Sequence, residues 1–420
     1  PMREINTLPP TRAAVAVPGS TSYPPRVLIA AALSDGRCVI ENALESEDTH
    51  LTRDALKKWG VAMAPEGEAL VVAGCKGEFK TCRSPIFLGN SGTSMRLLTA
   101  VAALVPGTSI LTGSDRLRAR PIQDLLDGLA QAGVAARSLD GNGCPPVAIE
   151  GGGFAGGRVD LNCALSSQFL SALLLVGPHT REGIEVRVTH GPVSRPYIDI
   201  TLDTMASFGV QAERDGYAWF KVPGGQRYRA GRHRVEPDCS QAGYFWAAAA
   251  VTASTVSVRG AHRGSRQGDI RILEILERMG CRVASQADGV AVSGGALSAV
   301  DVDMGDIPDV VPTVAVVAAF ARGRTVLRNV AHLRGKESDR LAAVSAGLNQ
   351  MGIAAGCDAD RLWIEGGTPH PAAIDCCNDH RIAMSFAVAG LKAPGVRILD
   401  EACVQKSFPN FWETLEGLYR

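Results

Sequence analysis

The sequence predicts an α/β fold of two domains, each made of three β-α-β-α-β-β units, and three observations predict it. The first is an internal repeat with a period near seventy residues. Six times a polar or Gly/Pro-bearing loop runs straight into a helix-like stretch of small apolar residues. The loops are Pro18-Gly19-Ser20, Gly89-Asn90-Ser91-Gly92, Ser166-Ser167-Gln168, Asp238-Cys239-Ser240, Ile307-Pro308-Asp309 and Asn378-Asp379-His380. Taking Gly19, Asn90, Ser166, Cys239, Ile307 and Asn378 as markers, the spacings are 71, 76, 73, 68 and 71. The second observation is composition: aromatics are only 5% of the chain and glycines number 46, which suits small-residue helices packed closely on sheets. The third is length. One core rarely grows beyond about 250–300 residues, so six units in 420 residues divide into two domains.

Each loop-helix is followed by a β-branched run that reads as a strand: Arg37 to Glu41, Thr108 to Leu111, Ile184 to Val188, Thr255 to Val258, Thr325 to Leu327 and Val396 to Leu399. A second helix comes next, with apolar residues at i, i+3 and i+4 as in Ile122, Leu125, Leu126 and Leu129. Pro121 suits its first helical position, where a missing N–H costs nothing. These second helices are expected to end at Gly60, Gly133, Gly209, Gly280, Gly352 and Gly417, because glycine tolerates the left-handed conformation that closes a helix. Two further strands around a turn complete the first five units. The sixth has no room for them. The apolar-poor stretch Gly224 to Glu236 at the midpoint of the chain is the expected domain boundary.

Lys+Arg 43 balances Asp+Glu 43, which argues against a nucleic-acid wrapper or a polybasic membrane binder. No apolar run approaches the ~20 residues needed to span a bilayer, and Pro1 to Arg12 has no apolar leader, so a cytoplasmic protein with no membrane partner is expected. The eleven cysteines include no C-x-x-C pair and no His clusters at metal spacing. Reduced, mostly buried thiols and no metal follow, and the adjacent Cys376 and Cys377 are read the same way in preference to a redox pair. Gly151, Gly153 and Gly156 match G-x-G-x-x-G, but no helical pattern follows them, so a dinucleotide site is not expected. Nor is ATP, since no G-K-S/T loop is present. No cofactor is predicted.

A polar loop leading into a helix offers free N–H groups and the positive end of the helix dipole, both favourable to anions. Plain N-capping explains any one such loop. The cations alongside shift that balance: Arg26, Arg96, Arg120, Lys336, Arg340, Arg381 and Lys406 lie within or beside the helix starts and look unpaired. Arginine binds carboxylate or phosphate bidentately and lysine acts as a mobile point charge, so a small molecule with several negative groups is the expected partner. Asp309 and Glu337 sit among these cations as candidates for proton transfer. For Glu337 the alternative is a salt bridge to Lys336 or Arg340.

These residues resemble the enolpyruvyl transferase family over almost the full length. The resemblance rests on Leu88-Gly-Asn-Ser-Gly-Thr-Ser-Met-Arg96, Arg120-Pro-Ile, Ser166-Ser-Gln-Phe-Leu, Ser194-Arg-Pro-Tyr-Ile-Asp199, Ile307-Pro-Asp309, Lys336-Glu-Ser-Asp-Arg340, Asn378-Asp-His-Arg381 and Lys406-Ser-Phe-Pro409. It implies a two-domain inside-out α/β barrel of six repeats, with domains at 21–236 and at 1–20 plus 237–420. It implies transfer of the enolpyruvyl group from phosphoenolpyruvate to the 5-hydroxyl of shikimate 3-phosphate, with release of phosphate. By matching motifs, Ser22, Arg26, Ser166, Ser167, Gln168, Ser194, Tyr197, Asp309 and Lys336 would meet shikimate 3-phosphate. Gly92, Arg96, Arg120, Gln168, Arg340, Arg381 and Lys406 would surround phosphoenolpyruvate. Asp309 would orient or deprotonate the hydroxyl, and Glu337 would exchange a proton with the methylene carbon. A monomer is expected.

Two positions depart from the family pattern. Thr21 stands where the resemblance calls for a lysine, and a hydroxyl cannot supply that charge. His332 stands where an asparagine is usual. Pro24 and Pro25 stiffen the same N-terminal segment and force Pro25 into an early helical position. Two other readings therefore stand beside the synthase: a paralogue with a different acceptor or a related elimination, and a non-catalytic ligand-binding homologue.

Overall fold

The structure, a computed structural model, describes residues 1–43 and 45–420. The chain forms two compact units, Gly19–Val235 and a discontinuous one made of Pro1–Pro18 with Glu236–Arg420.

In the 19–235 unit, helices α1 (Tyr23–Leu33), α3 (Gly92–Ala102) and α6 (Gln168–Val176) lie at the centre, and nearly every residue of each is buried. Helices α2 (Glu47–Lys58), α4 (Asp115–Arg118), α5 (Gln123–Gln131) and α7 (Pro196–Ser207) complete the helical set. Three four-stranded sheets, one per repeat, pack on this helical core. In each, the lead strand pairs parallel with the second and the last two add antiparallel, as in 157–162, 184–190, 219–222 and 213–215. The parallel pair needs a crossover connection, and the central helix of the repeat supplies it.

The discontinuous unit repeats the plan with α8 (Cys239–Thr252), α10 (Val311–Ala318) and α12 (His380–Lys392) at its centre. All fourteen residues of α8 are buried, including the run Ala247 to Ala250. With so little side-chain bulk, neighbouring helices can approach closely. The second helices are α9 (Ile272–Arg278), α11 (Arg340–Gln350) and α13 (Phe411–Glu416). Sheets outside and helices inside make the inside-out α/β arrangement expected above.

Two lead strands are exchanged. Arg12–Val15, which precedes α1 in the chain, pairs parallel with Thr255–Val258 of the fourth repeat. Arg232–Arg234, which precedes α8, pairs parallel with Arg37–Glu41 of the first. The sixth repeat, short of two strands, borrows one: Met2–Glu4 pairs antiparallel with Val396–Leu399.

Two local expectations need correction. Gly60, Gly133, Gly209, Gly280 and Gly352 have φ between 77° and 113°, as a left-handed helix end requires, but Gly417 has φ −60° and continues into a 3-10 turn. Pro121 lies outside its helix rather than at the first position. Ile122 is the cap with φ −139°, and its buried side chain anchors the helix start. Pro24 and Pro25 occupy the first turn of α1, where their missing N–H groups break no helical bond. No helix among the described residues is long and apolar enough to cross a membrane.

Candidate active site

In the 19–235 unit the sequence-predicted residues fall into two groups. The first surrounds the start of α1. Arg26 is 1% exposed, yet it is a full cation on a buried helix. Its Nε donates to Thr201 Oγ1 at 2.8 Å and its Nη1 to the Ser22 carbonyl at 2.7 Å, while Nη2 is buried with no partner. Burial pushes the guanidinium down to about 10. An unpaired buried donor costs about 1–3 kcal/mol, which an arriving anion would offset. Tyr197, half-exposed on the first turn of α7, lies within electrostatic reach of Arg26. Ser194, just before that helix, holds a left-handed φ of 52°. Thr21 is exposed, one residue before Ser22.

The second group gathers at the starts of α3 and α6. Ser91 caps α3 by accepting from the Ser94 N–H. One turn on, Arg96 Nη1 donates to Ser166 Oγ at 3.2 Å and to Gln168 Oε1 at 3.0 Å, and Gln168 Nε2 donates to Thr93 Oγ1 at 2.9 Å. The Arg96 guanidinium also lies 5.2 Å from the centre of the Phe169 ring. Burial, helped by the charge of Arg120, lowers Arg96 to about 10. Arg120 packs on Gly92 so tightly that a Cβ there would meet its guanidinium at 2.6–2.8 Å. Arg120 has no carboxylate partner among the described residues, so two arginines face one small patch with no internal counter-charge. Ser166 and Ser167 are buried beside them, Ser166 accepting from the Gln168 N–H.

The discontinuous unit presents an interlocked ionic cluster. Arg340, 1% exposed, donates from Nε to Asp379 Oδ2 at 2.8 Å, from Nη2 to Glu337 at 2.7 Å and from Nη1 to Asp309 at 3.2 Å. Arg381 Nη2 stands 3.5 Å from the other Asp309 oxygen, and its Nη1 donates to Ser240 Oγ at 2.8 Å and Tyr244 Oη at 3.1 Å. Lys406 Nζ donates to Glu337 Oε1 at 2.7 Å. The expectation of unpaired cations is therefore corrected here: Arg340 and Arg381 are held by carboxylates and hydroxyls that the fold gathers from distant segments. Glu337 does form an ion pair with Arg340, but its second partner is Lys406 rather than Lys336. Lys336 itself is exposed, with no carboxylate in ion-pair contact among the described residues.

The cluster sets the charge state of its acids. Burial works against the charged form of Asp309, but Arg381, Arg340 and Lys336 outweigh it and hold the carboxyl at about 2. Burial likewise opposes ionisation of Glu337, and the hydrogen bond from Lys406 with the charge of Arg340 brings it to about 2. Both are ionised at neutral pH and able to accept a proton. His332, exposed, is lowered by desolvation and by Lys336, both of which disfavour its charged form.

Four cluster members were absent from the sequence-predicted site: Asp379, Ser240, Tyr244 and His380. Asp379 caps α12 by accepting from the Arg381 N–H at 2.9 Å, and the capping position in Asn378-Asp-His-Arg381 was the available signal. Ser240 and Tyr244 sit on α8, with Ser240 Oγ also hydrogen-bonded to the Asp238 cap. His380 is buried, its Nδ1 without a hydrogen bond and 3.8 Å from Asp379 Oδ1, and burial together with Arg381 lowers it to about 3. No group of His, Cys, Asp or Glu able to hold a metal occurs among the described residues.

The EPSP synthase family, described as 3-phosphoshikimate 1-carboxyvinyltransferase, matches residues 5–415. The chain belongs to the EPSP synthase family. It is 45% identical to the 3-phosphoshikimate 1-carboxyvinyltransferase of Syntrophobacter fumaroxidans, over 97% of each chain. It is 43% identical to that of Nitrosomonas europaea, over 96% of this chain and 95% of the other. The solved EPSP synthase of Acinetobacter baumannii is similar in fold with a TM-score of 0.88, at 29% identity, covering 99% of this chain and 97% of that one. In this EPSP synthase family member the clusters draw on the repeat-marked helix starts together with the start of α11 and the 3-10 helix Glu401–Lys406, which the repeat does not mark.

Proposed function

We propose that this chain transfers the enolpyruvyl group of phosphoenolpyruvate to the 5-hydroxyl of shikimate 3-phosphate, releasing phosphate. The observation that carries the chemistry is the Glu337 carboxylate, held ionised between Arg340 and Lys406 beside the equally ionised Asp309. In this reading Asp309 accepts the hydrogen of the 5-hydroxyl as oxygen attacks C2 of phosphoenolpyruvate. A proton passes from water through the Glu337 carboxyl to C3, leaving Glu337 as the carboxylate and giving a tetrahedral adduct. Glu337 then removes a proton from the new methyl group as the C2–O bond to phosphate breaks, restoring the double bond.

The remaining roles follow unit by unit. In the discontinuous unit Arg340, Arg381 and Lys406 hold the anionic groups of phosphoenolpyruvate, and Lys336 a phosphate of shikimate 3-phosphate. In the 19–235 unit Arg96, Arg120 and Gln168, with Gly92 admitting Arg120, bind phosphoenolpyruvate. Ser22, Arg26, Ser166, Ser167, Ser194 and Tyr197 engage shikimate 3-phosphate, the spare Nη2 of Arg26 supporting that assignment. Relatives bearing one activity at 43–45% identity favour the synthase over the paralogue and the non-catalytic homologue.

Phosphate release from the two substrates tests the reading. Glu337→Gln and Asp309→Asn keep shape but lose proton-transfer capacity and an ion pair with Arg340, so each is expected to lower kcat by ~10² or more when assayed where circular dichroism shows the variant still folded. Wild-type rates in both variants would remove these residues from the chemistry.

A further inference from the structure

The spare Nη2 of Arg26 serves an anion only if the guanidinium is held in one orientation. The group is planar, so anchoring Nε and one terminal nitrogen fixes both its plane and the direction of the remaining N–H groups. Nη1 is anchored locally, on the Ser22 carbonyl four residues back at 2.7 Å. Nε is anchored on Thr201 Oγ1 at 2.8 Å, a contact that crosses 175 residues of chain from α1 to α7. Thr201 is not among the residues assigned to either substrate.

The surroundings of Thr201 suit this contact. Its Oγ1 donates to Ser171 Oγ on α6 at 2.7 Å or to the Tyr197 carbonyl, one turn earlier on α7, at 2.9 Å. A threonine hydroxyl has one hydrogen and two lone pairs. With the hydrogen engaged in either direction, a lone pair stays available for the Arg26 Nε–H, which can only donate. Thr201 and Ser171 are both 0% exposed, so α1, α6 and α7 meet at one hydroxyl sealed from solvent. Tyr197, at i−4 from Thr201, shares its face of the helix. Two residues assigned to shikimate 3-phosphate, Arg26 and Tyr197, are therefore joined through Thr201. A second tie between α1 and α7, Tyr23 Oη donating to Asp203 Oδ2 at 2.7 Å, does not involve Arg26.

We propose that Thr201 is a positioning residue for shikimate 3-phosphate: its hydroxyl locks the Arg26 guanidinium so that Nη2 is presented to the substrate anion. The inference rests on the reading of Arg26 as a ligand of that substrate and adds the group that orients it. Thr201→Val keeps the shape of the side chain and leaves the buried Nε–H without its acceptor. The guanidinium then turns towards another acceptor, and Nη2 loses its present direction. An anion contact made in the ground state and the transition state alike shows its loss in KM rather than in kcat. Phosphoenolpyruvate is assigned to other cations, so its KM should not follow.

The test joins steady-state kinetics to a measurement that needs no substrate. Thr201→Val is expected to raise KM for shikimate 3-phosphate by about threefold or more, with kcat and KM for phosphoenolpyruvate within about twofold of wild type. Thr201→Ser, which keeps the hydroxyl, should stay within about twofold in every constant, and so should Asp203→Ala, which breaks the other tie between α1 and α7. In the substrate-free protein the Arg26 Nε–H signal in the NMR spectrum, assigned by its disappearance in Arg26→Lys, is expected to shift in Thr201→Val and to regain its place in Thr201→Ser. Thr201→Cys, with a far weaker acceptor, should behave as the valine variant and replaces it if that protein does not fold. An unmoved Nε–H signal, or equal rises in KM for Thr201→Val and Asp203→Ala, overturns the positioning role. A shifted signal with an unchanged KM for shikimate 3-phosphate overturns the proposal at its other end, by removing Arg26 from that substrate, so the two failures are distinguishable.

Discussion

Arg340 and Asp379 form an ion pair sealed from solvent: Nε donates to Oδ2 at 2.8 Å, and the two side chains are 1% and 0% exposed. Burying such a pair has a desolvation cost of several kcal/mol per ion, repaid only when the remaining donors and acceptors are also satisfied. Here they are. Asp379 accepts from Ser338 and from the Arg381 N–H, and Arg340 also reaches Asp309 and Glu337. The pair therefore fixes the orientation of both acids and both arginines.

Removing one partner leaves the other charge buried. Asp379→Ala is expected to lower stability by ~3–5 kcal/mol through the uncompensated Arg340, with up to ~1 kcal/mol more from the lost cap of α12. Urea unfolding measures it. A loss below about 1 kcal/mol would show that Asp309 and Glu337 alone suffice to hold Arg340.

Stability should fall with acid in two windows. His380 titrates at about 3 in the folded chain against ~6.5 unfolded. A depressed folded pKa means the unfolded chain binds the extra proton, so stability is full above ~6.5 and is lost as pH falls towards 3. Asp309 and Glu337, at about 2 against ~4 unfolded, contribute stability above ~4.5 that disappears between there and 2. Urea midpoints from pH 7.5 to 3 should therefore decline already above pH 5, and His380→Gln should flatten that upper part alone. An unaltered profile in the variant would refute the assignment.

Gly92→Ala places a methyl group where the Arg120 guanidinium now lies. That guanidinium is the end of a flexible side chain, so it can move at little cost in stability. The expected result is a thermal midpoint close to wild type with a several-fold higher KM for phosphoenolpyruvate, since one displaced cation weakens an anion contact. An unchanged KM would mean that Arg120 does not touch that substrate.

Thr21→Lys introduces a charge beside Ser22 that the family pattern leads one to expect. If the leaving phosphate is short of one cation, kcat/KM should rise ~10-fold or more, the scale of one oriented donor in a closed site. Steady-state kinetics on phosphoenolpyruvate and shikimate 3-phosphate decide it. Equal or lower kcat/KM in the variant would show that Thr21 is adapted to its surroundings.

The sequence by itself determined the repeat and most of what depends on local chemistry. Gly60, Gly133, Gly209, Gly280 and Gly352 end helices because a left-handed residue there is a local need, and the loop motifs before α1, α3, α6, α8, α10 and α12 mark the helix starts that carry the charged groups. The tertiary structure alone decided which partners meet. Arg12–Val15 and Arg232–Arg234 each precede the first helix of a repeat in the chain, yet each pairs with a strand more than 190 residues away. The i, i+3 spacing of Glu337 and Arg340 allowed that one pair to be foreseen, but nothing in residues 309 and 379 individually announces that their carboxylates also converge on Arg340. Helix ends and caps are fixed within a few residues by backbone geometry, whereas strand partners and ion clusters are set by burial across the whole chain, where only the sum of the packing selects one arrangement.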